Sequence, residues 1–447
     1  MTLLDPLFTT EEMQSIFSDR ARLQGMLDFE AALARAQART GVIPPATAAT
    51  IQAHCHAARF NAGALARAAA SAGNLAIPLI NELTAQVGRD DEEAMRYVHW
   101  GATSQDAIDT GTVLQLREAL SLIGRRVTRL ADALARLAES YKTTLLAGRT
   151  WLQQGPPVTF GLKAAGWLSA IERDRSRLRA LPSRVLVLQF GGATGTLATL
   201  GPRALQAAEA LAEELQLGLP DLPWHAHRDR FAEVATVLGL LGGTLGKIAR
   251  DVALLMQTEV GEAAEPHASG RGGSSTMPHK RNPVGAAVVL AAATRLPPLI
   301  ATMLAAMVQE HERGLGGWHA EWETLPEIFL LADGAVAHLT HVAEGLEVDP
   351  KRMRENLAAT HGLIMAEAVM MTLGRSIGRS RAHALMEQAC GAAIADHRSL
   401  REVLAANAEV RQHLTESELD RLLDPSAYLG AAEEWVARAL AARFDGT

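Results

Sequence analysis

Apolar side chains recur at alternating steps of four and three residues through the middle of the chain. Leu116, Leu120, Ile123, Val127, Leu130, Leu134, Leu137 and Tyr141 make one such seam. It places them on a single stripe of an α-helix roughly 40 Å long at 1.5 Å per residue. Val234, Leu238, Leu241, Leu245, Ile248, Val252 and Leu255 make a second. A third stretch, Val284 to Val308, has no polar face and predicts a helix buried on all sides. Long helices of this kind belong to a bundle, and so much apolar surface predicts self-association. The pattern is shorter at both ends. Residues 1–110 read as helical pieces such as Arg22–Arg39, broken by Pro44, Pro45 and Pro78. From about Gly362 short charged amphipathic helices follow, separated by Gly374, Gly378 and Pro425. The expected fold class is therefore all-α, in three helical domains: residues 1–110, a central bundle over 111–361, and 362–447.

Composition narrows the function. The 447 residues are 48% hydrophobic and only 4% aromatic, which favours helices over β-sandwiches. A formal charge of −7 leaves no basic field for nucleic acid or an anionic membrane. Two cysteines, Cys55 and Cys390, exclude a disulfide scaffold. The opening MTLLDPLFTTEE has no signal-peptide character. The longest uncharged run, between Arg184 and Arg203, is too rich in glycine to span a bilayer. A cytoplasmic protein with no membrane partner is expected. His54-Cys55-His56 is a poor metal clip, since i and i+2 side chains on a helix diverge. With no zinc, Walker A or dinucleotide motif, neither metal nor cofactor is expected. His225 and His227 read as loop or site-lining residues, Arg228-Asp229-Arg230 as a structural ion pair, and Glu259 and Glu262 as a solvated or inter-subunit helix end.

One segment concentrates chemistry. Acidic residues number 50, yet residues 266–309 hold none and include Arg271, Lys280, Arg281 and Arg295. Within it lies Gly270-Arg-Gly-Gly-Ser-Ser-Thr-Met-Pro-His-Lys-Arg-Asn-Pro283. Glycines permit close approach, prolines stiffen the loop, and Ser274, Ser275, Lys280 and Asn282 offer donors. Such a loop suits a carboxylate ligand whose developing charge needs preorganised donors.

Gly273 to Pro283, GSSTMPHKRNP, resembles the G-S-S-x-x-P-x-K-x-N-P signature of the fumarase/aspartase superfamily. His99-Trp-Gly-Ala-Thr-Ser-Gln-Asp-Ala-Ile-Asp-Thr110 and Gly148-Arg-Thr-Trp-Leu-Gln-Gln154 resemble its other two active-site blocks, in the same order. The resemblance spans nearly the whole chain. It implies three helical domains whose central helices assemble into a homotetramer with sites shared between subunits. It also implies chemistry on a small polycarboxylate through an aci-carboxylate intermediate. Residue by residue, it assigns the carbon-bound proton to Ser274 and carboxylate binding to Lys280 and Asn282. Thr103, Ser104 and Gln105 match a substrate-binding stretch, and His99 that block's histidine. Arg313, in His311-Glu-Arg-Gly314, matches a position facing the substrate. Ser275, Met277 and Gln153 are expected to line the site.

One departure shapes the expected reaction. Where most lyases of this group carry Gly-Arg-Thr-His, with the histidine as general acid, this chain has Trp151. An indole N–H cannot donate a proton near neutral pH. An amine leaving group generally needs that proton; a carboxylate, with a pKa near 4, does not. The sequence thus points to a cycloisomerase of the superfamily, in which a substrate carboxylate adds to a conjugated double bond and closes a lactone. If the addition is anti, the proton comes from a group other than Ser274, such as His99 or a water. An adenylosuccinate-type C–N lyase using another acid is the alternative, and a catalytically silent structural member of the superfamily is a third reading. Trp151 is expected to line the substrate pocket.

Overall fold

The computed structural model describes residues 3–267, 272–273, 276–277 and 279–443. Helices dominate. Among the described residues six have 21 residues or more: Asp19–Arg39, Ser104–Ser140, Phe160–Ala180, Asp229–Leu255, Val284–Ala305 and Gly317–Glu344. The seam from Leu116 to Leu137 falls within Ser104–Ser140, with Tyr141 just past its end, and the seam from Val234 to Leu255 within Asp229–Leu255; the first helix begins well before its first seam residue. Strands are few: a hairpin of Leu145–Thr150 with Gln153–Thr159, and a two-residue ladder of Ala263–Ala264 with Glu347–Val348.

The chain divides into two compact units. One comprises Met1–Thr128, Asp174–Gly246 and Val288–Ala337; the other comprises Arg129–Arg173, Lys247–Ala287 and His338–Thr447. Each of these long helices except Asp19–Arg39 contributes residues to both.

Close approaches at glycines set the packing of two helix pairs in the first unit. A Cβ on Gly25 would lie 2.8 Å from the carbonyl oxygen of Gly111, so the Asp19–Arg39 helix crosses the start of the Ser104–Ser140 helix backbone against backbone. Gly239, Gly242 and Gly246 similarly face Ile300, Leu296 and Ala293, at would-be Cβ distances of 2.1, 2.3 and 2.8 Å. The order of these pairs runs the Asp229–Leu255 and Val284–Ala305 helices antiparallel. Phe29, Leu33, Phe231, Leu238 and Phe329 are among the buried side chains of this unit.

The second unit holds the hairpin and the C-terminal helices. Ser399 and Thr415 close capping boxes with Glu402 and Glu418 on two of them, satisfying backbone N–H groups that the helix leaves unpaired. Val369, Leu373, Leu385, Leu400 and Leu404 lie in their shared core.

Several expectations change. Pro78 does not break a helix: it sits in the first turn of Ala76–Asp90, where its missing N–H is harmless. Gly374 lies inside Ala366–Ile377 rather than between helices. The Val284–Ala305 helix is not buried all round; only 33% of its most apolar stretch is covered within the chain. By length and hydropathy alone this helix and Asp229–Leu255 are both long enough to cross a bilayer, where the sequence reading found no such segment. Neither helix is an uncharged run: one carries Arg295, and the other Asp229, Arg230, Glu233, Lys247, Arg250 and Asp251.

Candidate active site

The first block opens the Ser104–Ser140 helix, and a buried carboxylate organises it. Asp106 Oδ2 accepts from Thr103 N at 3.0 Å and Gly192 N at 2.9 Å. Its Oδ1 accepts from Gly191 N at 3.0 Å and His225 Nε2 at 2.7 Å. One side chain therefore ties the helix start, the turn at 191–192 and His225 together. Gly191 is required there: a Cβ would meet Pro223 and His225 at 2.7 and 2.8 Å.

Gln105, also buried, has its amide fixed in one orientation. Its Nε2 donates to Asp109 Oδ2 at 3.1 Å and to the carbonyl of His225 at 2.9 Å. Its Oε1 is left to accept from Arg313 Nε at 3.4 Å. Arg313 Nη1 donates to Thr103 Oγ1 at 2.7 Å. Thr103, Gln105 and Arg313 are thus brought together although more than 200 residues separate them in sequence. Both of these acceptors are neutral oxygens. Among the described residues Arg313 has no carboxylate partner, so its charge is available to an anion. Ser104 stands beside them, half-buried.

Behind this cluster lies a buried charged group. Arg228 donates to both oxygens of Asp109, at 2.7 and 3.1 Å, and to both oxygens of Glu321. Its guanidinium lies 4.9 Å from the ring centres of Trp224 and Phe231. Burial pushes Glu321 up to about 7 against the pull of Arg228. Arg228 therefore pairs with distant acids, not within Arg228-Asp229-Arg230 as expected. His225 lies in a turn, buried there as a partner of Asp106.

His99 opens the block, five residues before the helix starts, in the left-handed backbone region at φ 57°. Its Nδ1 donates to Glu30 Oε1 at 2.6 Å, and the Glu30 side chain is fully buried. Burial works against the charged imidazolium. The charge and hydrogen bond of Glu30, with the charge of Asp106, outweigh it and raise the His99 pKa.

The second block forms the Leu145–Thr150/Gln153–Thr159 hairpin, with Trp151 and Leu152 as its two-residue tip. Both tip residues are left-handed, at φ 52° and 64°. That conformation suits a two-residue hairpin turn but favours Asn and Gly, costing other residues about 1–2 kcal/mol each. Trp151 is 98% exposed and Leu152 73%. In the single chain Trp151 therefore stands clear of the fold, and Gln153 is likewise exposed. The root of the hairpin is anchored. Arg149 makes paired bonds of 2.8 and 2.7 Å to the buried Glu262, which also accepts from Asn356 Nδ2 at 2.8 Å. Glu262 is thus an internal anchor and not the solvated helix end expected of it.

In the signature loop, Ser274 and Ser275 lie outside the described residues. Asn282 closes the loop: its backbone N and its Nδ2 both donate to the carbonyl of Gly272, at 2.9 and 3.1 Å. Gly272 is needed for this, at φ 70° and with a would-be Cβ 2.9 Å from Asn282 O. Arg281 is neutralised by Glu347 through bonds of 2.8 and 2.9 Å. Glu265 accepts from Gly285 N and Ala286 N at the start of the following helix. A segment without acids in sequence therefore has two acids folded against it. Lys280 stays exposed, and among the described residues its amine has no partner. Met277, His279, Lys280 and Asn282 border an open cleft of about 980 Å³, with Glu347 and Asp349 across it.

Among the described residues no group of three or more His, Cys, Asp or Glu is placed to hold a metal ion. His54 pairs with Asp90 at 2.9 Å and with Arg59 at 2.8 Å.

Sequence reasoning quoted Asp106 and Asp109 within the first block but gave them no task, and it missed Glu30 and Glu321. A carboxylate at the third position of a helix is a recognisable capping signal, so Asp106 was findable. Glu30 carries no local signal, because its partner is 69 residues away.

An all-helical fold with these three blocks defines a lyase of the fumarase/aspartase type, and the comparisons agree. A family described as lyase matches residues 8–297, and one described as adenylosuccinate lyase C-terminus matches 362–439. The chain belongs to this family. It is 60% identical to the 3-carboxy-cis,cis-muconate cycloisomerase of Pseudomonas aeruginosa, over 98% of this chain and 96% of that protein. It is 55% identical to the protein of the same name in Bradyrhizobium diazoefficiens, over 98% and 97%. The crystal structure of 3-carboxy-cis,cis-muconate lactonizing enzyme from Pseudomonas putida matches with a TM-score of 0.93 at 57% identity, covering 98% of each chain.

Proposed function

We propose that this protein is a cycloisomerase that converts 3-carboxy-cis,cis-muconate to the carboxymuconolactone, as part of aromatic-acid breakdown. The observation that carries the reading is Trp151 at the hairpin tip: the block that would supply a general acid to an amine leaving group offers only an indole. A carboxylate nucleophile needs no such acid.

The substrate is a tricarboxylate diene. Arg313, held by Thr103 and Gln105, binds one carboxylate with an uncompensated charge. Lys280 and Asn282 bind the carboxylate that becomes the aci-carboxylate, where electrostatic stabilisation lowers the barrier most. Another substrate carboxylate attacks the conjugated carbon; the π electrons move into the aci-carboxylate; a proton then adds to carbon. Ser274 and Ser275 act from the same loop, and Ser104, Gln153 and Met277 complete the lining.

The site is completed by other copies of the chain. Two observations support this: an exposed tryptophan on a strained, well-anchored tip, and an apolar Val284–Ala305 helix only 33% covered. Burying such surfaces between copies in a homotetramer satisfies both. Sedimentation equilibrium should give four chains; a monomer at micromolar concentration refutes the shared site. The activity is tested by following the diene absorbance of 3-carboxy-cis,cis-muconate beside fumarate release from adenylosuccinate. Loss of the diene alone is expected, and fumarate release alone would overturn the reading.

A further inference from the structure

The proton that ends the reaction needs a source that the hairpin does not provide. The substrate enters with three carboxylates and the lactone leaves with two, so each turnover takes up one proton. The group that delivers it must be protonated at rest and recharged from water. Among the described residues, one pair near the Thr103–Arg313 cluster has this character. Glu30 is buried, and among the described residues the only hydrogen bond at its carboxylate is the 2.6 Å contact with His99 Nδ1, its second oxygen having no partner there. A buried carboxylate satisfied at one oxygen is costly to keep. The cost is met when the histidine is an imidazolium, because the pair is then a buried ion pair instead of a lone anion. His99 also holds a backbone conformation that L-residues avoid, at φ 57°. It sits four residues before Thr103, on the loop that Asp106 pins. The charges facing it are both negative: Glu30 from the Asp19–Arg39 helix and Asp106 from the Ser104–Ser140 helix.

We propose that Glu30 and His99 form a proton-holding dyad, with Glu30 as a positioning residue that fixes the proton on Nδ1 and keeps the ring charged, so that Nε2–H delivers the proton to the substrate carbon. The step balances. The carboxylate oxygen bonds to carbon, the displaced electron pair enters the aci-carboxylate, and that pair then takes the proton from Nε2. Neutral His99 regains a proton from water, and nothing is oxidised or reduced. This rests on the lactonisation reading, which it deepens by naming the donor.

The test uses the full-length protein and two readouts. Glu30→Gln keeps the shape and one oxygen towards His99 while removing the charge; Glu30→Asp restores the charge. In ¹⁵N-resolved NMR of histidine-labelled protein, His99 should carry its proton on Nδ1 when neutral. Its titration should fall by about one pH unit or more in Glu30→Gln and recover in part in Glu30→Asp. With 3-carboxy-cis,cis-muconate, kcat should fall as pH rises past the His99 titration. In Glu30→Gln that limb should move to lower pH by the same amount, with KM little changed. His99→Asn should lower kcat by at least about 10²-fold. An unmoved His99 titration in Glu30→Gln, or an unmoved alkaline limb beside a moved titration, overturns the dyad. Should the wild-type protein fail to consume the diene, the lactonisation reading falls, and the NMR titration still decides whether Glu30 holds the imidazolium.

Discussion

Replacing Asp106 with Asn probes the join between fold and site with a change of one atom. Four donors converge on this carboxylate: Thr103 N and Gly192 N on Oδ2, Gly191 N and His225 Nε2 on Oδ1. An amide offers one oxygen and one NH2. With its oxygen towards Thr103 and Gly192, its NH2 faces Gly191 N–H and His225. His225 can answer by moving its proton to Nδ1 and accepting from the amide; the Gly191 N–H cannot. One buried backbone donor is left unsatisfied, at about 1–3 kcal/mol, and the remaining bonds lose their charge assistance. The reverse orientation leaves Thr103 N and Gly192 N both facing an NH2 and is worse. The expected loss is roughly 2–4 kcal/mol in urea unfolding. Because Thr103 holds Arg313, kcat/KM for the carboxymuconate should fall by about 10–100-fold, at roughly 1.4 kcal/mol per decade. Unchanged unfolding together with unchanged kcat/KM in Asp106→Asn would refute the assignment of Asp106 as organiser of the site.

Lys280→Ala should cut kcat by at least about 10²-fold without altering the melting temperature, since its amine has no partner among the described residues; differential scanning fluorimetry beside the diene assay checks both. Glu321 binds its proton more tightly folded than unfolded, with its pKa raised to about 7. Stability from this group is therefore full below the usual carboxylate range and is lost as pH rises towards 7. Glu321→Gln should flatten that fall by up to about 1.4 kcal/mol per pH unit, measured by urea unfolding between pH 4.5 and 7. Leu152→Gly should leave the single-chain fold unharmed or firmer by up to about 1 kcal/mol, because glycine relieves the left-handed tip. Trp151→His should not create adenylosuccinate cleavage unaided, as a fumarate-release assay will report.

Much of the architecture was legible in the spacing of Leu116 to Tyr141 and Val234 to Leu255, because a long helix packed along one face must repeat its apolar residues. The three site blocks were legible because each is contiguous. What stayed hidden is what depends on meeting across the chain. The Gly25–Gly111 approach of two backbones and the seating of the Ile300 side chain on Gly239 have no periodic signature. The Arg228–Asp109–Glu321 group joins three distant segments, so its arginine read as a partner for adjacent Asp229. The acid-free run at 266–309 suggested an unopposed cationic loop, yet Glu347 reaches Arg281 from outside it. Burial of the Val284–Ala305 helix was overestimated because sequence reports what must be covered, not by which chain. The three-domain partition at 110 and 361 stays a proposal about how the chain is organised.

The most direct measurement is a proton NMR spectrum of the product formed from 3-carboxy-cis,cis-muconate in D2O, with no added metal or nucleotide. A lactone ring carrying one deuterium at the carbon α to a carboxylate is expected, formed in step with loss of the diene. An unchanged diene in the presence of folded protein, or a ring closed without deuterium at that carbon, would contradict it.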